Sequence, residues 1–155
     1  MRKKDNIYYL AGAAGILLLT FLFRKFQKMD QKLTKNFSFA EFESNDGAVM
    51  PPDVKKNIKE LAKNLQVIRD YVGKPLKINS GYRSPGQNEK VGGRSQSKHM
   101  IGQAADFTIP GMKTNEVLAV VEKLIALKKI KQGGVGYYPT WIHYDIRGTK
   151  ARWNG

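Results

Sequence analysis

Residues 97–109 read SKHMIGQAADFTI, and the second half of this stretch decides what kind of fold the chain makes. From Ala104 to Ile109 the residues alternate: Ala105, Phe107 and Ile109 fall on one face, Ala104, Asp106 and Thr108 on the other. This is the period-two pattern of a half-buried strand, and it directs Asp106 away from the core. The first half is a Ser/Gly/Lys loop carrying His99, seven residues before Asp106, with Gly102 between them as the turn that can bring both side chains to one metal ion.

Working toward the C-terminus, Thr114 is placed to cap a helix whose apolar residues are Val117, Val120, Val121, Leu124 and Leu127. Lys128 and Lys129 close it, where cations suit the helix dipole. Two further strands follow, Gly134 to Tyr138 and Trp141 to Arg147, joined at Pro139-Thr140. On the second, Trp141, His143 and Asp145 share one face and Ile142, Tyr144 and Ile146 the other. A histidine and an aspartate therefore project together from a strand with an apolar back.

Working toward the N-terminus, Leu76 to Ile78 reads as a short strand entering a turn at Ser80–Pro85. Before it, Val54, Ile58, Leu61, Leu65, Ile68 and Val72 form one stripe of an amphipathic helix. Gly73 and Pro75 end it. Ser38 and Glu41 have capping-box spacing, with Phe37 and Phe42 placed to staple a short helix. The expected fold class is α+β, a small and mainly antiparallel sheet with flanking helices.

Ile7 to Phe23 is a run of 17 uncharged residues between basic clusters. It is short but sufficient for a membrane-spanning helix, and no small-residue cleavage site follows it. The expected organisation is a basic N-terminus (1–6), a transmembrane anchor (7–23), a Lys-rich linker (24–36) and a domain (37–155). The net charge is +14, of which about six charges lie in residues 1–36. Counted literally, the positive-inside rule keeps the domain in the cytoplasm; a wall substrate requires the opposite orientation. Charge alone also admits a nucleic-acid partner, but it specifies neither fold nor site, and no nucleic-acid partner is expected.

With no cysteine in the chain, any metal must be held by His, Asp, Glu or water. His99 and His143 are the only histidines. If their strands are neighbours, His99, Asp106 and His143 supply two nitrogens and one oxygen and leave a fourth position open, the pattern of a catalytic zinc site. The spacing is equally compatible with an exposed loop histidine and a strand histidine paired to Asp145.

The segments SGYRSP (80–85), SKHMIGQAAD (97–106), GVGYYP (134–139) and WIHYD (141–145), followed by Arg147 and Gly148, resemble the D-Ala-D-Ala carboxypeptidase family of hedgehog-type zinc peptidases. The likeness is greatest to its small phage-endolysin and bacterial wall-peptidase branch, and covers about Phe37 to Trp153. The resemblance implies that His99, Asp106 and His143 are zinc ligands and that Arg83 binds substrate and stabilises the oxyanion. It also implies that Ser97, with Tyr82 beside Arg83, lies on the substrate side. The implied activity is hydrolysis of peptide bonds in peptidoglycan stems or cross-links; with the apolar segment at 7–23, the expected protein is a membrane-tethered monomer.

Several branches of the family carry an acidic general base three residues before the last ligand, where this chain has Thr140. Asp145 is then the carboxylate nearest His143 in sequence, and its candidate roles are general base and orienter of a ligand histidine. A non-catalytic, zinc-containing wall-binding module is the alternative that this departure leaves open.

Overall fold

The computed structural model describes residues 32–155. The expected anchor at 7–23 lies outside them; among the described residues no helix is long and apolar enough to cross a membrane. In chain order the elements are a 3-10 turn (Phe39–Phe42), α1 (Pro52–Val72), β1 (Lys77–Ser80), α2 (Pro85–Lys90), β2 (Ala104–Thr108), α3 (Thr114–Ala126), β3 (Gly134–Tyr137), β4 (Ile142–Asp145) and β5 (Ala151–Asn154).

The stripe read on α1 is the stripe it buries: Val54, Ile58, Leu61, Leu65 and Ile68 all face the core. Gly73 takes φ +64 at its C-cap and returns an N–H to the Arg69 carbonyl, a conformation that suits glycine. At the N-terminal end, the Ser38 N–H donates to Glu41 Oε1 at 2.9 Å, and the Phe37 and Phe42 rings meet edge to face at 6.1 Å. Packing starts slightly upstream of this staple. Leu33 lies against the core, and the side chains of Thr34 and Asn36 bond to Gln66 on α1.

The sheet order is β1-β2-β4-β3-β5. The first three pairings are antiparallel, as expected, but β5 joins β3 in parallel, so the sheet is mixed. One face carries Ala105, Phe107, Val135, Ile142 and Tyr144, which pack with α1 and α3 into a single core. Each large aliphatic or aromatic side chain sealed there contributes about 1.5–3 kcal/mol. On the other face His99, from the segment between β1 and β2, meets Asp106 and His143. All of β2 except Thr108 is buried rather than half-buried.

Thr114 is the first residue of α3 and not its cap. Lys113 occupies the cap position, where its N–H is taken up by Glu116 at 2.7 Å, and the Thr114 hydroxyl donates instead to the Pro139 carbonyl at 3.0 Å. α2 follows the turn at Ser80–Pro85, where the Ser/Gly/Lys-rich composition predicts loop. Ser84 caps it by accepting from the Gln87 N–H, with Pro85 at its first position, a start signal visible in the sequence.

Candidate metal centre

The site is built on one row of the sheet. Across β1, β2, β4, β3 and β5, the residues paired in register are Ser80, Asp106, His143, Gly136 and Trp153. Regular pairing would have placed Asn79 opposite Asp106. A register shift between Ile78 and Ser80 puts Ser80 there instead, so that its side chain joins the row; bulges commonly re-aim a side chain in this way. Ser80 Oγ then accepts from Arg83 Nε at 2.9 Å, and Arg83 Nη2 donates to Asp106 Oδ2 at 2.5 Å.

His99 comes to this row from the loop above it. Its carbonyl accepts from the Gly102 and Arg83 N–H groups, closing the turn that leads into β2. Gly102 has φ +70, and a Cβ there would collide with Val54 and Ile58 of α1; only glycine allows the loop to press against the helix and turn. The three residues converge tightly. His99 Nε2 lies 3.2 Å from His143 Nδ1 and 3.3 Å from Asp106 Oδ1, and His143 Nδ1 lies 2.8 Å from the same oxygen. They are 2%, 8% and 8% exposed for His99, Asp106 and His143.

The hydrogen bonds on the outer edges of the rings assign the tautomers. His99 Nδ1 lies 2.7 Å from the Gly81 carbonyl, which can only accept, so the proton sits on Nδ1 and Nε2 is a lone pair. His143 Nε2 faces Asp145 Oδ2 at 3.3 Å and donates to it, which makes Nδ1 the inward lone pair. Two imidazole lone pairs and a carboxylate oxygen are thus aimed at one another. Such an arrangement requires a cation, either a proton on His143 Nδ1 or a metal ion taking all three donors. Two histidine nitrogens and a carboxylate oxygen suit a divalent ion of the zinc class, with a coordination position to spare.

The electrostatics agree. Burial pushes the Asp106 carboxyl up, but the hydrogen bonds of His143 and His99 outweigh it and hold its pKa well below the carboxylate range. Burial lowers His99, which stays neutral. Burial also works against charge on His143, yet Asp106 on one side and Asp145 on the other raise its pKa. Among the described residues, these three form the group that could hold a metal ion, and no fourth carboxylate or histidine joins them.

Asp145 is 0% exposed. Beside His143, it accepts from the Gly134 N–H at 3.0 Å, the Arg147 N–H at 3.1 Å, Arg147 Nε at 2.8 Å and Arg147 Nη2 at 2.5 Å. Burial opposes its charge, but these donors hold its pKa well below the usual range. A carboxylate so fully engaged has no lone pair left for a water, so its geometry is that of an orienting group for His143 and not of a general base.

The remaining expected residues divide. Arg83 is at the centre, with Nη1 unpartnered among the described residues. Ser97 is half-buried in the loop before His99, and its hydroxyl has no partner among the described residues. Tyr82 is 5% exposed and belongs to the core, which leaves little of it for a ligand. Thr140 is exposed at the β3–β4 turn. Sequence reasoning missed the part played by Ser80, Gly136, Arg147 and Trp153. Arg147 stood in a quoted motif without a role, whereas nothing in residues 151–154 marks a strand.

Residues 31–145 match the family model described as Peptidase M15. Among curated proteins, the chain is 36% identical over 114 residues to the zinc D-Ala-D-Ala carboxypeptidase of Streptomyces albus G, covering 69% of this chain and 44% of that protein. It is 38% identical over 87 residues to the peptidoglycan L,D-endopeptidase MepK of Escherichia coli strain K12, covering 52% and 44%. It is 33% identical over 99 residues to a probable MepK of Haemophilus influenzae, covering 59% and 50%. The chain spans about half the length of the curated relatives it matches.

Proposed function

The chain belongs to the peptidase M15 family, and from that premise we propose that it is a zinc-dependent peptidase hydrolysing peptide bonds of peptidoglycan stem peptides or cross-links. The observation that carries this reading is the convergence of three potential ligand atoms, His99 Nε2, Asp106 Oδ1 and His143 Nδ1, within 3.3 Å of one another. Zinc bound there supplies Lewis-acid polarisation of the scissile carbonyl and lowers the pKa of a water.

The chain's own groups do the rest. Asp145 holds the Nε2 proton of His143 and keeps Nδ1 free. The Gly81 carbonyl does the same for His99 through Nδ1. Arg83, steadied by Ser80 and Asp106, presents Nη1 to charge developing on the substrate carbonyl oxygen. Ser97 contributes a hydroxyl on the loop side, where it can orient the peptide. On this reading Asp145 orients His143 and is not the proton acceptor.

The engagement of Asp145 and the exposure of Thr140 favour one second reading, a zinc-containing wall-binding module without turnover. Incubating the full chain and zinc with purified peptidoglycan separates the two. New amino groups that vanish with His99→Ala are expected for the peptidase; sedimentation with the wall and no amine release would establish the module. We also propose that residues 7–23 anchor the chain in a membrane with domain 37–155 facing the wall, which protease accessibility on intact spheroplasts would test.

A further inference from the structure

Three features were not absorbed by the proposed chemistry: the half-buried Trp153 on β5, the glycine at 136, and the Arg147 guanidinium. They meet at one place. Gly136 pairs with His143 on one side and with Trp153 on the other, so the three share a row and a face of the sheet. Because Gly136 has no side chain, the Trp153 ring lies across it and reaches the His143 ring, centroid to centroid 5.0 Å at 52°. A Cβ on Gly136 would fall inside van der Waals distance of the Trp153 indole. The indole is itself anchored: Nε1 donates to the Tyr138 hydroxyl at 3.1 Å, and Tyr138 stacks on Trp141 at 4.8 Å.

Arg147 connects the second side. Its guanidinium grips Asp145 through Nε and Nη2 and lies 5.8 Å from the Trp153 ring centroid. Asp145 in turn receives the Nε2 proton of His143. The imidazole is therefore held at its outer edge by Arg147 acting through Asp145, and on its face by Trp153. Arg147 and β5 both lie beyond the residues matched by the family model, 31–145.

We propose that the C-terminal strand completes the metal centre: Trp153 and Arg147 are positioning residues that clamp the His143 ring from two sides, and position 136 is glycine because the clamp passes over it. This rests on the reading that His99, Asp106 and His143 hold zinc. The physical reason is preorganisation. An imidazole with two rotatable bonds presents Nδ1 at a fixed point only if both its edge and its face are constrained; otherwise zinc binding has to bear the ordering cost. Partners of metal-ligating histidines are typically worth about 10–100-fold in metal affinity.

The test is zinc affinity of the full chain, by competition with a chromophoric chelator, alongside the thermal midpoint of the metal-free protein. Gly136→Ala, Arg147→Gln and Trp153→Ala are each expected to weaken zinc binding by about 10–100-fold, and Trp153→Phe, which keeps a ring over His143, to restore most of it. A purely structural role would instead lower the metal-free midpoint and leave zinc affinity unchanged. That result overturns the proposal. If a truncating variant does not fold, Trp141→Phe leaves Trp153 as the sole tryptophan, and its emission must change on zinc titration; an unchanged emission overturns the proposal equally. Failure of the unaltered chain to bind zinc would instead overturn the underlying reading.

Discussion

His99 Nε2 and His143 Nδ1 face each other at 3.2 Å with the proton of each ring committed to its opposite edge, one to the Gly81 carbonyl and the other to Asp145. Two acceptors at that separation repel unless a cation lies between them, so the geometry of the folded chain already encodes an affinity for one.

That relationship predicts ligand-linked stability. Zinc at a hundred times its dissociation constant should stabilise the domain by about 2.7 kcal/mol, and a chelator should reverse the gain. His99→Ala and His143→Ala should abolish the zinc-dependent increment in a thermal melt. The metal-free midpoint should fall as well, since both rings are buried and hydrogen-bonded, so the readout is the difference between melts with and without zinc.

A pH dependence follows from His143. Its pKa is raised above the ordinary 6.5 in the folded chain, so the proton it carries stabilises the metal-free fold fully below the unfolded value and ceases to do so as pH rises through the folded one. Zinc must displace that proton. Its apparent affinity should fall by about tenfold per pH unit on the acid side of the raised pKa and level off above it, as read by chelator competition.

Asp145→Asn distinguishes orienting from proton transfer. An orienting Asp145 predicts weaker zinc binding, by about 10–100-fold, with most of the turnover recovered at saturating zinc. Loss of turnover with zinc affinity intact would assign Asp145 as the base.

Arg83→Met should lower kcat/KM on peptidoglycan by about 100-fold or more, the usual consequence of removing an oxyanion donor. Zinc occupancy, measured by metal analysis of the purified variant, should persist, since Asp106 keeps its contacts with both histidines.

Gly102→Ala tests how the loop is delivered to the sheet. A side chain at φ +70 facing Val54 and Ile58 should destabilise the domain by about 1–3 kcal/mol, seen as a lower denaturant midpoint.

The sequence was most legible where one periodicity governed a whole element. The stripe of α1 and the alternation of Ala104–Ile109 and Ile142–Asp145 appear in the structure on the faces expected, because the apolar residues of one face pack into the core and so fix where the others point. The convergence of His99 with Asp106 was less legible. It depends on Gly102 fitting against α1 and on a carbonyl at Gly81, contacts between segments far apart in the chain. β5 was illegible for a different reason. Ala151–Asn154 has no alternation of its own, and it is a strand because β3 offers a free edge and Gly136 a space for an indole.

The row running through Ser80, Asp106, His143, Gly136 and Trp153 bears on how the chain finds its fold. A strand that slipped by two residues would keep its apolar side chains on the core face, and the helices packed there would register little difference. The row would register it at once, since one donor would move by two residues, about 6.8 Å, along its strand. A metal held by these donors would therefore proofread strand register, rewarding only the alignment in which all three arrive at the same height.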